Sequence, residues 1–285
     1  MAVQFAVLAS GSRGNATLIR SGGAGLLIDL GLGPRALAER LGSVGSSLDQ
    51  VSAVLLTHTH GDHLDQGTIN AMAKRKIILY CHEGHRRVLS RFAGFEKLES
   101  FGLVRHYGEA PFLAPNAMRI EPVELRHDGG PTFGFRIEAR PLKGKSSVSI
   151  GYLADTGCWS ERMVEQLTDV NVLGVEFNHD VELQRRSPRH PSLIARNLGD
   201  RGHLSNDQGA RFVARILEQS RSGSLRHLVL LHLSAQCNRS SLALDSARET
   251  IRRFGRRIPV EAALQAPAHP NLWVIPARRR LSNVS

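Results

Sequence analysis

Residues 51 to 63 constrain this chain more than any other stretch. Val51 to Leu56 (VSAVLL) is an apolar, β-branched run that reads as a buried strand. It leads directly into Thr57-His58-Thr59-His60-Gly61-Asp62-His63, where Gly61 permits a tight turn. A fold containing this run must end a core strand in a loop that aims three imidazoles and a carboxylate at one place. Such donors suit zinc and neighbouring first-row ions. His58 and His60 share a face of an extended segment, and Asp62 and His63, past the glycine, can turn towards a second ion.

The rest of the chain reads as strands in runs with helices between them. Strands are expected at 3–9, 16–20 and 25–30, the last ending at Asp29 and Gly31. Further strands are expected at 77–80, in pieces over 100–125 with turns at Gly108 and Pro115, and at 132–138, 146–153, 170–177 and 227–231. Helices are expected at 34–41, with Pro34 in the first turn, and at 64–73, 83–92, 159–168, 206–220 and 241–254. Residues 181–202 are basic and punctuated by proline, and the tail from Pro259 carries a short strand and a basic end. Two sheets packed face to face with helices outside, a four-layer αββα sandwich, accommodate this order. An open α/β sheet competes on pattern alone. No repeat or linker is visible, so residues 1–285 are expected to form one domain with a basic extension from about residue 256.

Composition narrows the surroundings. Cys81, Cys158 and Cys237 are far apart and odd in number, which argues against a disulfide framework and for a reducing cytoplasm. Neither a signal peptide nor a membrane span is expected. The formal net charge of +11 favours a polyanionic partner, nucleic acid first.

Three later residues follow predicted strands and complete a two-ion ligand set: His127 in Arg-His-Asp-Gly-Gly-Pro, Asp155 in Ala-Asp-Thr-Gly, and His232 in Leu-His-Leu-Ser. Strand ends hold ligands rigidly. Two ions roughly 3.5–4 Å apart lower the pKa of a shared water and clamp phosphate oxygens. His203, in Gly202-His203-Leu204-Ser205, lies 29 residues before His232 at the opening of a helix, a place that favours phosphate.

His-Thr-His-Gly-Asp-His resembles the H-x-H-x-D-H signature of the metallo-β-lactamase superfamily, and the later order histidine, aspartate, histidine resembles it throughout. That likeness implies the αββα fold, with His58, His60 and His127 on a first metal, Asp62, His63 and His232 on a second, and Asp155 bridging. The stretch around His203 resembles the histidine-serine segment of the RNase Z and PhnP-like phosphodiesterase branches. Leu8 to Asn15 (LASGSRGN), Glu176-Phe177-Asn178-His179-Asp180 and Gly202-His203-Leu204-Ser205-Asn206 are similar to the YycJ-like group. That resemblance spans residues 5 to about 245 and implies a metal-dependent 5′-to-3′ exonuclease acting on double-stranded DNA. Arg13 and Phe177 depart from the group's pattern. Asp155 and His232 are 77 residues apart, too few for the large insertion of RNase J-type nucleases.

Asp62 and His203 are thus the candidate catalytic residues. Ser12, Asn15, His179, Arg185 and Arg186 are candidate substrate contacts, the last two within a basic stretch that also holds Arg189, Arg196 and Arg201. The tail arginines, Arg252, Arg253, Arg256, Arg257, Arg278, Arg279 and Arg280, read as a solvated face, and His269 as a surface or packing residue. The expected cofactors are two divalent ions, Zn2+ or Mn2+. The expected partner is nucleic acid, DNA before RNA, without a membrane and with a homodimer left open. An RNA-processing nuclease, a small-molecule phosphodiesterase and a nucleic-acid-binding protein with structural metals remain alternatives.

Overall fold

The computed structural model describes residues 2–140, 147–267 and 270–276. Ser146, His269, Arg278, Arg279 and Arg280 lie outside the described residues. Fourteen strands, counted among the described residues, form two seven-stranded sheets. The first sheet contains β1 (Val3–Ala9), β2 (Ala16–Ser21), β3 (Ala24–Ile28), β4 (Val51–Leu55), β5 (Ile78–His82), β6 (Val104–Tyr107) and β14 (Leu272–Ile275), in the order β14-β1-β2-β3-β4-β5-β6. The second contains β7 (Phe112–Ala114), β8 (Met118–Leu125), β9 (Thr132–Ala139), β10 (Val148–Leu153), β11 (Val172–Glu176), β12 (His227–Leu231) and β13 (Val260–Ala262), in the order β13-β12-β11-β10-β9-β8-β7. From β14 to β6, three antiparallel pairings are followed by three parallel ones, and the same holds from β7 to β13. This likeness of the two halves leaves no repeat in the sequence.

Three apolar layers define the four-layer αββα sandwich. Between the sheets lie Phe5, Ile19, Leu55, Phe135, Tyr152 and Val229. Outside the first sheet pack α1 (Pro34–Ser43), α2 (Gln66–Arg75) and α4 (Ala93–Ser100), through residues such as Leu37, Leu41, Met72 and Phe95. Outside the second pack α5 (Glu161–Leu167), α8 (Asn206–Gln219) and α9 (Ser240–Arg253), through Val164, Phe212, Val213 and Ala247. Local chemistry starts these helices where it should. Asp65 accepts from Thr68 N at 2.8 Å ahead of α2, and Ser205 and Gln208 form a reciprocal cap on α8. No helix among the described residues is long and apolar enough to cross a membrane.

The structure departs from the sequence reading in three places. The helix expected over 83–92 is a single 3-10 turn, Glu83–His85, and a short α3 (Arg86–Leu89); the longer helix is α4. The His82 and His85 rings bond to local backbone, and His85 Nε2 reaches the Pro131 carbonyl at 2.7 Å, so tertiary bonding overrides the periodicity. The basic stretch after residue 180 contains two short helices, α6 (Val181–Arg185), capped by Asp180, and α7 (Pro191–Leu198), capped by His190. Beyond residue 256 there are two strands rather than one, and they join opposite sheets. Trp273 of β14 is 7% exposed and packs against Phe5 with ring centroids 5.5 Å apart.

His85 gives the fold a pH dependence. Burial holds its pKa down, only partly opposed by the Pro131 carbonyl, to about 4. The unfolded chain therefore binds this proton more readily between about pH 6.5 and 4. Stability conferred by neutral His85 is complete above that window and falls as pH drops through it, by about 3 kcal/mol at most. His85→Gln is expected to flatten that part of a urea-midpoint profile against pH; a slope identical to the wild type would refute the assignment.

Candidate metal centre

All the candidate ligands lie at one edge of the sandwich, at C-terminal strand ends. His58, His60, Asp62 and His63 follow β4 of the first sheet; His127, Asp155 and His232 follow β8, β10 and β12 of the second. The loops are tied together tightly. Asn15 N donates to the Asp62 carbonyl at 2.7 Å, Gly31 N to Asn15 O at 2.9 Å, and His232 N to Ser10 Oγ at 2.8 Å. Gly31 is required there, because a Cβ would overlap the Asp62 carbonyl. A Cβ on Gly129 would press on His58 Cδ2 at 2.6 Å, so glycine lets the His127 loop close over the histidines.

Donor atoms of His58, His60 and His127 lie within 4.8 Å of one another, as do those of Asp62, His63 and His232, and those of His58, His63 and Asp155. Asp155 stands between the two triads. Its Oδ2 is 2.7 Å from His63 Nε2, and its Oδ1 is 3.2 Å from His232 Nδ1. Asp155 and His232 both have positive φ, 61° and 54°. For residues with a Cβ this costs about 1–3 kcal/mol, the kind of strain that collects at functional sites.

Several observations show that the residues fit divalent ions. His58 Nε2 is a buried polar atom without a hydrogen-bond partner, in the middle of the cluster. The His127 ring donates from Nδ1 to the Gly202 carbonyl at 2.9 Å, which turns Nε2 into the site. Burial lowers the pKa values of His58, His60 and His127, so these rings are neutral, the form that ligates. His63 and His232 go the other way. Burial opposes their charge, but Asp29 and Asp155 raise His63 well above the usual range, and Asp155 with Asp62 raises His232 to about 10. Burial would raise Asp155 and Asp62, yet the neighbouring histidines hold both carboxyls down. Anions and proton-bearing rings thus share a small volume, and a cation there takes over the role of those protons.

Two acids carry the support of this centre, and the sequence reading gave neither a role. Asp29, fully buried with φ 65°, binds His63 Nδ1 at 2.7 Å and accepts from Thr57 N at 2.8 Å. Such carboxylate–histidine pairs fix ring orientation and raise ligand basicity. Asp29→Asn is expected to weaken metal binding by about 10–100-fold in a chelator competition. Unchanged affinity would mean that the pair does not set the ring. Glu176, also fully buried, is 2.8 Å from His203 Nδ1 through Oε1 and accepts from Thr156 N at 2.9 Å and Leu204 N at 3.2 Å through Oε2. Burial would raise its pKa, but His203 outweighs this and brings it to about 2.

His203 stacks on His232 with centroids 5.2 Å apart and planes 23° from parallel. Burial lowers its pKa, and the Glu176 and Asp155 carboxylates overcome this to give about 9. It is therefore an imidazolium at neutral pH. Its Nδ1 is committed to the carboxylates, and the ring lines a pocket beside the centre.

The other candidates are placed differently from one another. Ser12 is exposed and lines the same pocket as His203. Asn15 is fully buried behind the metal loop, its amide 2.9 Å from His63 Nε2 and 3.3 Å from Asp62 Oδ2. His179 is buried with neither ring nitrogen hydrogen-bonded, and burial lowers its pKa to about 4. Arg185, the last residue of α6, and Arg186, just after it, are exposed and pair with Glu182 at 3.6 and 3.4 Å. The arginines of the basic stretch that reach the pockets are Arg189 and Arg196 on the His203 side and Arg201, next to Arg126, on the His127 side.

Comparison with known proteins agrees with this geometry. Exodeoxyribonuclease YycJ of Bacillus anthracis is 28% identical over 261 residues, covering 90% of this chain and 91% of that protein. Exodeoxyribonuclease WalJ of Streptococcus pneumoniae (strain D39) is 28% identical over 247 residues, covering 84% and 85%. Among solved structures, the metallo-β-lactamase fold protein YhfI from Bacillus subtilis superposes with a TM-score of 0.67 at 16% identity, covering 96% of this chain and all of that one. The model of the beta-lactamase superfamily domain matches residues 25–232. The match ends on the last histidine of the cluster, and the two sheets and their order of ligands are those of the metallo-β-lactamase fold: the chain belongs to the beta-lactamase superfamily.

Proposed function

We propose that this protein is a nuclease that hydrolyses phosphodiester bonds in DNA, as a 5′-to-3′ exonuclease on double-stranded DNA, and that it works with two divalent ions, Zn2+ or Mn2+, in the cytoplasm. The observation that carries the reading is His203 Nδ1 set 3.2 Å from Asp155 and 2.8 Å from Glu176, beside two complete triads of ligand atoms. His58, His60 and His127 would hold one ion, Asp62, His63 and His232 the other, with Asp155 common to both. When bound, the ions supply Lewis acidity towards a phosphate and acidify water.

The chain's own residues account for the rest. Hydrolysis forms a bond from water oxygen to phosphorus and breaks the ester bond, and the departing alkoxide needs a proton. His203 can give one from Nε2, because Glu176 and Asp155 hold its Nδ1 side. Backbone donors fix Glu176 in turn, so the imidazolium does not need to reorganise during the reaction. Nucleic acid as substrate is supported by the net charge of +11, by arginines at both pockets beside the centre, and by relatives named exodeoxyribonucleases.

The test is metal-loaded protein given end-labelled duplex DNA, single-stranded DNA and RNA, with a chelator control and a His60→Ala variant. Metal-dependent shortening of duplex DNA from its 5′ end, lost in the variant, is expected. Degradation of RNA alone would move the reading to RNA processing. If all polymers stayed intact, small phosphodiesters would be the remaining substrates.

A further inference from the structure

The two pockets flanking the centre differ in charge. The one on the His127 side has Glu109, Glu124 and Asp200 on its wall together with Arg126 and Arg201. The one on the His203 side, a cavity of about 340 Å³, has no carboxylate among its lining residues. Its polar wall includes Ser12, Arg189, Arg196, Asn197, Ser234 and Gln236.

The two guanidinium groups of this wall are not equivalent. Arg196 meets Asp128 through both Nε and Nη2, the latter at 2.7 Å from Oδ1, so its charge is matched. Among the described residues, Arg189 is held only by neutral acceptors: Gln236 Oε1 at 3.0 Å, Ser234 Oγ at 3.4 Å and Gln184 Oε1 at 3.5 Å. These acceptors fix the direction of the guanidinium without neutralising it. They also take only some of the N–H donors of its fork, leaving others for an incoming oxyanion. Asn197 is a second polar group on this wall with spare hydrogen-bonding capacity. Its side chain is 4% exposed, lines the cavity, and leaves Oδ1 buried without a partner. Turned over, the same carboxamide donates N–H in that direction.

We propose that this cavity is a second anion site, in which Arg189 binds a phosphate of the substrate next to the one being hydrolysed. The inference rests on the phosphodiesterase reading of the centre, because it takes His203 and His232 as the boundary between the two phosphates. It makes Arg189 a binding residue that acts on substrate affinity, and it gives the protein a means of distinguishing a chain with a neighbouring phosphate from an isolated diester.

The test is equilibrium binding, by calorimetry, of a thymidine dinucleotide to metal-loaded protein. The internucleotide linkage is a methylphosphonate, which is uncharged and resists hydrolysis, and the probe carries a phosphate on neither end, the 5′ end, the 3′ end or both. A terminal phosphate is expected to tighten binding at least about tenfold. Arg189→Gln is expected to lose that gain while binding the bare probe like the wild type, and Arg189→Lys to keep part of it. No gain from any terminal phosphate in the wild type, or a gain that survives in a folded Arg189→Gln protein, overturns the proposal. Protein that degrades no polymer but shows the gain refutes the nuclease reading and leaves the anion site standing. Protein that degrades DNA without the gain does the reverse.

Discussion

Asp155→Ala is expected to remove both metal binding and hydrolysis. Its carboxylate stands closer to His63 and His232 than that of Asp62 does, 2.7 Å from the first ring and 3.2 Å from the second, and it is 1% exposed. Without it, the two triads lose the group they share, and the proton-bearing rings stand near one another with less compensating charge. Phosphodiesterase activity should fall by on the order of 10³-fold or more, and bound metal, read by elemental analysis, should fall below that of the wild type. Asp155→Asn keeps the shape but not the charge and should behave similarly. A folded Asp155→Ala protein with a full metal complement and normal turnover would remove this residue from the centre.

His203→Ala is expected to separate chemistry from metal binding. The ring belongs to neither ligand triad, stacks on His232 and is tied to Glu176 and Asp155, so metal content should be retained. Turnover on DNA should fall by about 10²–10⁴-fold, the usual contribution of a positioned general acid. The decisive comparison is with a 4-nitrophenyl ester of thymidine monophosphate, whose leaving group departs without a proton. On that ester the loss should be much smaller. Equal losses on both substrates would assign His203 to binding or to the architecture of the site. Glu176→Gln should resemble His203→Ala in the same comparison, because it removes the charge that keeps the ring protonated.

The cluster of candidate ligands was legible in the sequence because each follows an apolar strand, and the structure brings these residues together. The strands were legible as nearly continuous apolar runs, but that pattern alone left an open α/β sheet beside the sandwich, and the resemblance carried by the metal loop chose between them. Asp29 and Glu176 carried a signal that was available, a lone acid at the end of a fully buried strand (LLID, LGVE), which must find a partner in the core. The helices α6 and α7 showed no apolar period long enough to be read, since each is a short piece started by a cap. The tail from Pro259 was read with one short strand where there are two, and their places in opposite sheets are decided by pairing, β14 with β1 and β13 with β12, which neither short run shows by itself. Asn15 was read as a candidate substrate contact, and its contact with the metal loop, 47 residues away along the chain, is one to which no local pattern can point. Arg189 differs from Arg185 and Arg186 only in which way a loop turns it, and that is a property of tertiary structure.

The division of the ligands between the sheets has a mechanical consequence. One group of donors is carried by the first sheet and the other by the second, so the spacing across the centre is set by the thickness and stagger of the apolar layer between them. Phe135 and Tyr152, fully enclosed in that layer, therefore act as spacers for a reaction they never touch. Repacking them would shift one half of the centre against the other by fractions of an ångström, so the catalytic rate can change through the interior of the protein while every residue around the substrate stays the same.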